Sequence, residues 1–252
     1  FMTPTPELSV IIPAYNEAEN FHNNKLLEVN DFLSEQKYHW EVIVVDDGST
    51  DQTADLVDRW IKDHPNWKLI RNEHAGKSKT VATGMLQAKG NIRLFTDFDQ
   101  ATPIHEVKKI IKKFDQQADV VIGSRELVGA SRQSEPFIRH LMGRVFNTIV
   151  QIIALRGITD SQCGFKAFSA TATIELFNKL VVYKNHQTAD AYTGAFDVEL
   201  LFLARKFGFK IAQIPVTWKY VESTRVNPTK DSIRMLIDIF KIRLAYLLGQ
   251  YK

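Results

Sequence analysis

Three clusters of polar and acidic residues each follow an apolar run of the sequence. They cover residues 13–17 (PAYNE), 46–49 (DDGS) and 97–99 (DFD). Carboxylate oxygens are ligands for hard divalent cations such as Mg²⁺ or Mn²⁺, which often complete their coordination with substrate phosphates. The pair Asp97 and Asp99 is therefore a candidate metal site. Taken alone, the pair also fits a solvated turn with a helix cap.

The other two clusters suit a nucleoside. Asp46 and Asp47 can accept hydrogen bonds from a base or a ribose, as acids at strand ends do in nucleotide-binding folds. The alternative is that one of them only caps the following helix. Tyr15 can line a base and Glu17 can contact the ribose, although an acid in the first turn of a helix also complements the helix dipole.

Short β-branched runs alternate with polar helical stretches over the first 125 residues. The pattern predicts strands at 8–13, 41–45, 68–70, 92–95 and 119–122, with helices at 18–35, 52–63, 78–88 and 104–116. This is an α/β fold with a mostly parallel sheet flanked by helices. Ligands bind beyond the carboxyl ends of such strands, so we expect the three clusters to meet at one edge.

The second half of the chain alternates less regularly. The predicted strands lie at 164–168 and 210–218, and the helices at 136–155, 170–180, 196–207 and 231–248. We predict one domain over residues 1–218, followed by a basic amphipathic segment over 219–252. That segment packs on the same domain, lies at a membrane surface, or does both.

Composition narrows the class of protein further. The 252 residues are 44% hydrophobic and 24% charged, which is typical of a globular chain. The single cysteine, Cys163, excludes an intrachain disulfide framework and favours a reducing compartment. The net charge of +3 gives no support for nucleic-acid binding, but seven basic and three acidic residues follow position 218. The longest stretch without a charged residue, 145–155, is 11 residues and too short to span a bilayer.

The ordered motifs resemble those of a known family. PAYNE, VVDDGSTD, the loop with GK at 76–77, DFD and VIGSR are similar in order and spacing to family 2 glycosyltransferases with the GT-A fold. DSQCGFKAF and the stretch from AFDVELLF to IPVTW resemble the dolichyl- and polyprenyl-phosphate sugar synthases. The glucosyltransferase branch is a better match than the mannose synthases, and the similarity runs from about Leu8 to the C-terminus.

The resemblance implies transfer of a hexose from a nucleotide-sugar to a polyprenyl or dolichyl monophosphate, with inversion at the anomeric carbon. Glucose and a UDP-sugar are the favoured donor choices. Catalytic roles fall on Asp97, Asp99 and Arg125, with Mg²⁺ or Mn²⁺ held by the two aspartates. The implied nucleotide-sugar-binding residues are Pro13, Tyr15, Glu17, Val45, Asp47, Asp97, Phe98, Asp99, Lys219 and Arg225.

Two residues of the acidic motif depart from the family pattern. Phe98 stands where the family has a small residue, which would change the contact with the ribose, and Gln100 replaces a small or aliphatic residue. Neither departure removes a carboxylate. The GKS sequence at 76–78 is not a P-loop, because Arg71 occupies the position of the first glycine.

The acceptor decides whether a general base is needed. A phosphate monoester has a second pKa near about 6, so it is largely dianionic at neutral pH and needs only cations to orient it. Candidates for that task are Arg125, Arg132, Arg139 and Arg144. A hydroxyl acceptor would need a base, for which Asp197 and Glu199 are candidates, although both are also suited to anchoring a helix.

Several alternatives remain open from the sequence. They are a GT-A transferase with a soluble or polysaccharide hydroxyl acceptor, GDP-mannose as the donor, and an inactive nucleotide-binding domain. A lipid acceptor implies peripheral association with the cytoplasmic face of the cell membrane, or with the cytosolic face of the endoplasmic reticulum in a eukaryote. The terminal helix is a candidate for that contact, and packing on the core or a homo-oligomer interface is the alternative.

Overall fold

The computed structural model describes residues 5–133, 137–184, 194–221 and 228–252. The strands in this part of the chain are β1 (Leu8–Ala14), β2 (Trp40–Asp46), β3 (Trp67–Arg71), β4 (Ile92–Thr96), β5 (Val120–Ser124), β6 (Ser131–Gln133), β7 (Phe165–Ser169), β8 (Ile211–Pro215) and β9 (Thr217–Lys219). The α-helices are α1 (Ala18–His22), α2 (Lys25–Ser34), α3 (Thr53–Trp60), α4 (Lys77–Gln87), α5 (Val107–Phe114), α6 (Phe137–Ile153), α7 (Ala170–Asn178), α8 (Phe196–Lys206) and α9 (Pro228–Leu247).

Seven strands form one mostly parallel sheet in the order β3-β2-β1-β4-β7-β5-β8. Only β7 runs against its neighbours β4 and β5, and β6 pairs with β9 in a separate two-stranded ribbon. The central strands are buried on both faces, because Val10 and Ile12 belong to one core and Ile11 to the other. The α/β fold with helices on both faces of the sheet is therefore confirmed.

Two predicted elements are each divided in the structure. The stretch 18–35 forms α1 and α2, which are separated where Asn24 adopts a left-handed backbone with φ of 60°. The stretch 210–218 is divided at Val216 into β8, in the main sheet, and β9, which pairs with β6. Polar asparagines tolerate the left-handed conformation, which explains the first break.

The terminal helix α9 has two apolar faces. Ile239, Ile242 and Ala245 are buried in the core that also contains residues of α7 and α8. The spacing of apolar residues predicts a stripe of Ile233, Leu236, Ile237, Phe240, Leu244 and Leu247. Leu236 is partly buried against the core. The other five point outward, with exposed fractions of 56% for Ile233, 49% for Ile237, 61% for Phe240, 56% for Leu244 and 74% for Leu247. The C-terminal segment thus packs on the domain without burying these five side chains. Its separation from residues 1–218 stays a prediction.

No helix in the described ranges is both long enough and apolar enough to cross a bilayer.

Candidate active site

The ends of β1, β2 and β4 lie side by side at one edge of the sheet. Pro13 pairs with Val45 across β1 and β2, and Ile11 pairs with Phe95 across β1 and β4. All three strands run in the same direction, so the polar clusters that follow them come together at this edge. The order of the strands reverses at β1, because β2 and β3 lie on one side of it and β4 lies on the other. Such a switch point is the place where α/β sheets bind ligands.

The loops after β1 and β2 are tied to each other by hydrogen bonds. Asn16, with φ of 54°, donates its backbone N–H to Ser49 Oγ (2.9 Å) and accepts from the Thr50 N–H through Oδ1 (2.8 Å). The Glu17 N–H donates to Thr53 Oγ1 at 2.7 Å. The Glu17 carboxylate acts electrostatically on Asp99, which places it on the side of the acidic motif.

Asp47 holds the loop that precedes α4. Its carboxylate accepts the N–H groups of Ala75 (3.0 Å) and Gly76 (2.9 Å), and its Oδ2 lies 2.9 Å from His74 Nδ1. The His74 ring stacks on Tyr15 with ring centroids 4.4 Å apart. Asp47 and Tyr15 therefore both contact the loop that precedes α4.

Asp46 is the acid with an available acceptor atom. Its Oδ2 accepts the N–H groups of Gly48 and Ser49, whereas its Oδ1 is buried without a hydrogen-bond partner in the structure. A buried acceptor without a partner costs about 1–3 kcal/mol, so a donor group on a ligand would stabilise this position. Val45, in contrast, is fully buried in the core.

The acidic motif forms a tight turn after β4. The Gln100 side chain and backbone N–H both donate to the Asp97 carbonyl, and Gln100 has φ of 52°. Asp99 Oδ1 accepts the Ala101 N–H at 2.9 Å. The Phe98 ring is only 2% exposed and packs in the core, so the larger residue fits without entering the site. Any contact of Phe98 with a ligand would come from its backbone.

Lys77 and Gly164 fix the Asp97 carboxylate from two sides. Lys77 Nζ lies 2.5 Å from Asp97 Oδ1. A Cβ atom on Gly164 would come within 2.0 Å of Asp97 Oδ2, so this position requires glycine as long as the carboxylate stays in place. Although burial acts to lower the pKa of Lys77, the Asp97 carboxylate raises it above its ordinary value.

The negative charge of the site is only partly neutralised. Burial and the neighbouring charge of Asp97 raise the pKa of Asp99 to about 6. Two close carboxylates that resist simultaneous ionisation suit a divalent cation, which would hold both in the ionised form. The described residues contain no group of three or more His, Cys, Asp and Glu side chains arranged around one metal position. Asp97 and Asp99 would therefore hold the cation together with oxygens of a ligand or water.

The two candidate bases are both engaged in other contacts. Asp197 Oδ1 lies 2.7 Å from the ammonium of Lys166, which is fully buried and also donates to the Cys163 carbonyl. Glu199 accepts the N–H groups of residues 181–183 and the hydroxyl of Tyr251. Glu199 therefore anchors the segment at residues 181–183 to α8. Asp197 forms a buried ion pair with Lys166.

Arg125 is held by a buried carboxylate. Its Nε and Nη2 donate to the two oxygens of Asp160 at 2.7 and 2.9 Å, and its backbone N–H donates to the same group. Burial alone would raise the pKa of Asp160, but the Arg125 guanidinium outweighs burial and lowers that pKa to about 2. The pair gives Arg125 a fixed orientation next to the end of β5.

Arg132 joins Arg125 through the ring of Trp218. The guanidinium carbons of Arg125 and Arg132 lie 5.2 and 5.9 Å from the centre of that ring, within the range of cation–π attraction. The β6–β9 ribbon positions this group, since Arg132 pairs in register with Trp218. Lys219, the next residue, has an exposed side chain, and its N–H donates to the Ala101 carbonyl beside the acidic turn.

Among the remaining predicted cations, only Arg144 has a side chain that the structure describes. Arg144 is exposed on α6. Arg225 and the side chain of Arg139 lie outside the described residues. Their assignment to donor phosphates and acceptor phosphate stays a prediction.

The fold is shared with solved structures of glycosyltransferases. A mannosyltransferase from Pyrobaculum calidifontis, in complex with GDP-Man and Mn²⁺, matches 96% of this chain and 65% of its own (TM-score 0.60, 23% identity). Mannosyl-3-phosphoglycerate synthase from Rubrobacter xylanophilus matches 97% of this chain and 75% of its own (TM-score 0.64, 14% identity). At these identities the likeness establishes the fold, which is the GT-A fold of glycosyltransferases.

The sequence comparisons establish the family. Residues 9–177 match the model of glycosyl transferase family 2. The dolichyl-phosphate beta-glucosyltransferase of Dictyostelium discoideum is 35% identical over 97% of this chain and 76% of its own length. The proteins of the same name from Saccharomyces cerevisiae and Homo sapiens are 34% and 32% identical, over 97% and 99% of this chain and 76% and 79% of theirs. The chain belongs to glycosyl transferase family 2 and is a glycosyltransferase, as its motifs indicate.

Sequence reasoning did not single out Lys77, Gly164 or Asp160 as site residues. Lys77 carried a signal, because a lysine at the first position of a helix opposes the helix dipole and needs another reason to be there. Asp160 and Gly164 come from the segment before β7, whose approach to the end of β4 depends on the antiparallel insertion of β7. No local sequence pattern predicts the insertion of β7 between β4 and β5.

The Arg125–Asp160 pair predicts a specific pH dependence of stability. The Asp160 pKa is about 2 in the folded protein and about 3.9 when unfolded, so the carboxylate stabilises the fold above pH 4 by about 2 kcal/mol. This contribution is lost as the pH falls from about 4 towards 2. We expect Asp160→Asn to lower the free energy of unfolding at pH 7 by about that amount, with the difference from wild type narrowing below pH 4.

Urea unfolding followed by circular dichroism between pH 7 and pH 3 measures this difference. Glu73→Gln, on an exposed side chain, is the matched control and should change stability by less than about 0.5 kcal/mol. A difference for Asp160→Asn that stays constant down to pH 3 would show that the pair does not stabilise the fold through the Asp160 charge.

Proposed function

We propose that the protein transfers glucose from UDP-glucose to a dolichyl or other polyprenyl monophosphate, with inversion at the anomeric carbon. One observation carries the choice of a phosphate acceptor: the two carboxylates suited to act as a base, Asp197 and Glu199, are engaged by Lys166 and by backbone N–H groups. A phosphate monoester needs no base at neutral pH. The relatives named dolichyl-phosphate beta-glucosyltransferase support the same acceptor and sugar.

The donor would lie along the edge formed by β1, β2 and β4. Asp46 Oδ1 and the Tyr15–His74 pair would receive the nucleoside, and Asp97 and Asp99 would face the diphosphate with Mg²⁺ or Mn²⁺ between them. The cation, when bound, neutralises the negative charge that develops on the leaving diphosphate. The complex of the Pyrobaculum mannosyltransferase with GDP-Man and Mn²⁺ is consistent with a divalent cation in this fold.

The acceptor phosphate would bind against Arg125 and Arg132. Both guanidinium groups lie against Trp218, which restricts their orientations before the acceptor arrives. An oxygen of the phosphate forms the new bond to the anomeric carbon while the bond to the diphosphate oxygen breaks, and the diphosphate leaves with the bonding electrons. No proton has to move in this step, because the attacking oxygen is already ionised.

The outward face of α9 supports contact with a lipid surface. The exposed residues Ile233, Ile237, Phe240, Leu244 and Leu247 share this face, and the helix carries four basic and two acidic residues. A basic amphipathic helix gains both from burying apolar side chains in the interface and from anionic lipid. The neighbouring helix α6 also exposes two apolar side chains, Val145 and Ile152. We therefore place the enzyme at a membrane surface through α9.

Transfer to lipid is tested with the purified protein. The reaction contains Mg²⁺ or Mn²⁺, UDP-glucose and dolichyl phosphate, and the sugar extracted with the lipid is measured. We expect glucose in the lipid fraction, and we expect Asp97→Asn to lower kcat/KM by at least about 100-fold, as removal of a group that stabilises the leaving charge does. Asp55→Asn, on an exposed carboxylate of α3, is the control and should retain activity.

GDP-mannose and a soluble sugar acceptor are run in parallel arms. Mannose in the lipid fraction without glucose would overturn the choice of donor. Product that forms only with the soluble acceptor would overturn the lipid acceptor, and equal activity of Asp97→Asn and Asp55→Asn would overturn the role of Asp97.

Lipid contact is tested by co-sedimentation with vesicles of neutral and anionic phospholipid. The double variant Phe240→Ser with Leu247→Ser removes two outward side chains and should lower the vesicle partition coefficient by about tenfold or more. The control Leu27→Ser with Leu86→Ser changes two leucines on other helices that are each 39% exposed. If the α9 variant binds vesicles normally but no longer self-associates in light scattering, α9 is an oligomer interface instead.

A further inference from the structure

Lys77 lies at a helix N-terminus, where a positive charge is electrostatically unfavourable. It is the first residue of α4 and follows Gly76, whose φ is 95°. The N-terminus of a helix carries partial positive charge, so a lysine there is unfavourable unless an acid compensates. The compensating acid is Asp97, whose Oδ1 lies 2.5 Å from Lys77 Nζ. The fold thus brings a cation directly to a candidate metal ligand.

The Asp97 carboxylate is accessible to a new partner mainly from the Lys77 side. Gly164 presses against Oδ2 so closely that an added Cβ would lie 2.0 Å away. Oδ1 carries the Lys77 ammonium. The negative charges of Asp99 and Asp197 also attract the Lys77 ammonium. A divalent cation on Asp97 Oδ1 would compete with this ammonium.

We propose that the Lys77 ammonium occupies the position of the divalent cation while the site holds no donor. Cation and nucleotide then bind together, and they displace Lys77 from Asp97 towards the diphosphate of the donor. The inference rests on the proposed function for the identity of the donor. It adds a switch that couples binding of the cation to binding of the nucleotide.

The exchange needs little rearrangement of the protein. The Lys77 side chain is 25% exposed and the Asp97 side chain 36%, so the ammonium has an open path away from the carboxylate. Lysine has a flexible four-carbon stem and a compact charge, which allow it to change partners. Asp97 itself stays in place against Gly164.

The exchange has a thermodynamic consequence. A cation that arrives alone must remove an ammonium from a carboxylate and leave it without a counter-charge. When nucleotide arrives as well, the diphosphate supplies that counter-charge. Each ligand therefore raises the affinity for the other by the same factor, as linkage requires. Free protein should bind the cation weakly, and Lys77 should be the reason.

The test measures binding of Mn²⁺ with and without UDP, so it needs no transfer reaction. Free Mn²⁺ is followed by electron paramagnetic resonance at pH 7.5. We expect Lys77→Met to raise the Mn²⁺ affinity of the UDP-free protein by about tenfold or more, and to shrink the increase that UDP causes. Lys77→Gln should act in the same direction, whereas Lys77→Arg keeps the charge and should resemble wild type. Lys79→Met, on an exposed lysine of the same helix, is the matched control.

To test whether the additional Mn²⁺ binds at Asp97, Asp97→Asn is combined with Lys77→Met. The double variant should lose the gain of Mn²⁺ affinity. Unchanged or weaker Mn²⁺ binding by both folded variants, Lys77→Met and Lys77→Gln, would overturn the inference, as would a gain that survives Asp97→Asn. Tight Mn²⁺ binding by Lys77→Met without sugar transfer by wild type would uphold the exchange and overturn the function. Sugar transfer by the wild type without any gain of Mn²⁺ affinity in Lys77→Met would overturn the exchange and uphold the function.

Discussion

The structure depends on the neutralisation of carboxylates that the fold gathers at one sheet edge. Asp97 and Asp99 lie in the same turn after β4, and Asp197 of α8 is close enough for the charge of Asp97 to act on it. Two lysines offset this charge: Lys77 pairs with Asp97 and Lys166 with Asp197. The Lys166–Asp197 pair is buried, and a buried charge needs a partner, which ties β7 to α8. The partly exposed Lys77–Asp97 pair ties α4 to the acidic turn.

The site contains a second group of charged side chains besides the acidic turn. Arg125 and Arg132 lie against the Trp218 ring, and each is also paired with a carboxylate, Arg125 with Asp160 and Arg132 with Glu126. The β9 strand connects this group with the acidic turn, because Trp218 contacts both arginines and the Lys219 N–H binds the Ala101 carbonyl.

Much of the fold follows from local pattern, and the contacts around the site do not. Apolar runs located the central strands to within one or two residues, since strands buried on both faces have a strong signal. The contact of Gly164 with Asp97 depends on β7 entering the sheet between β4 and β5, a long-range event. The family resemblance marks Phe98 as a departure from the motif but does not reveal that its ring is buried in the core. For α9, periodicity found an apolar stripe, but only packing shows that a different face meets the core.

The central claim is that Asp97 and Asp99 bind the cation of the donor in place of the Lys77 ammonium. Crystals grown with Mn²⁺ and UDP test this most directly, through the anomalous scattering of manganese. We expect a single strong peak between the Asp97 carboxylate and the diphosphate, with the Lys77 ammonium moved from Asp97 to a phosphate oxygen. A manganese peak away from Asp97, with Lys77 still paired to that carboxylate, would contradict it.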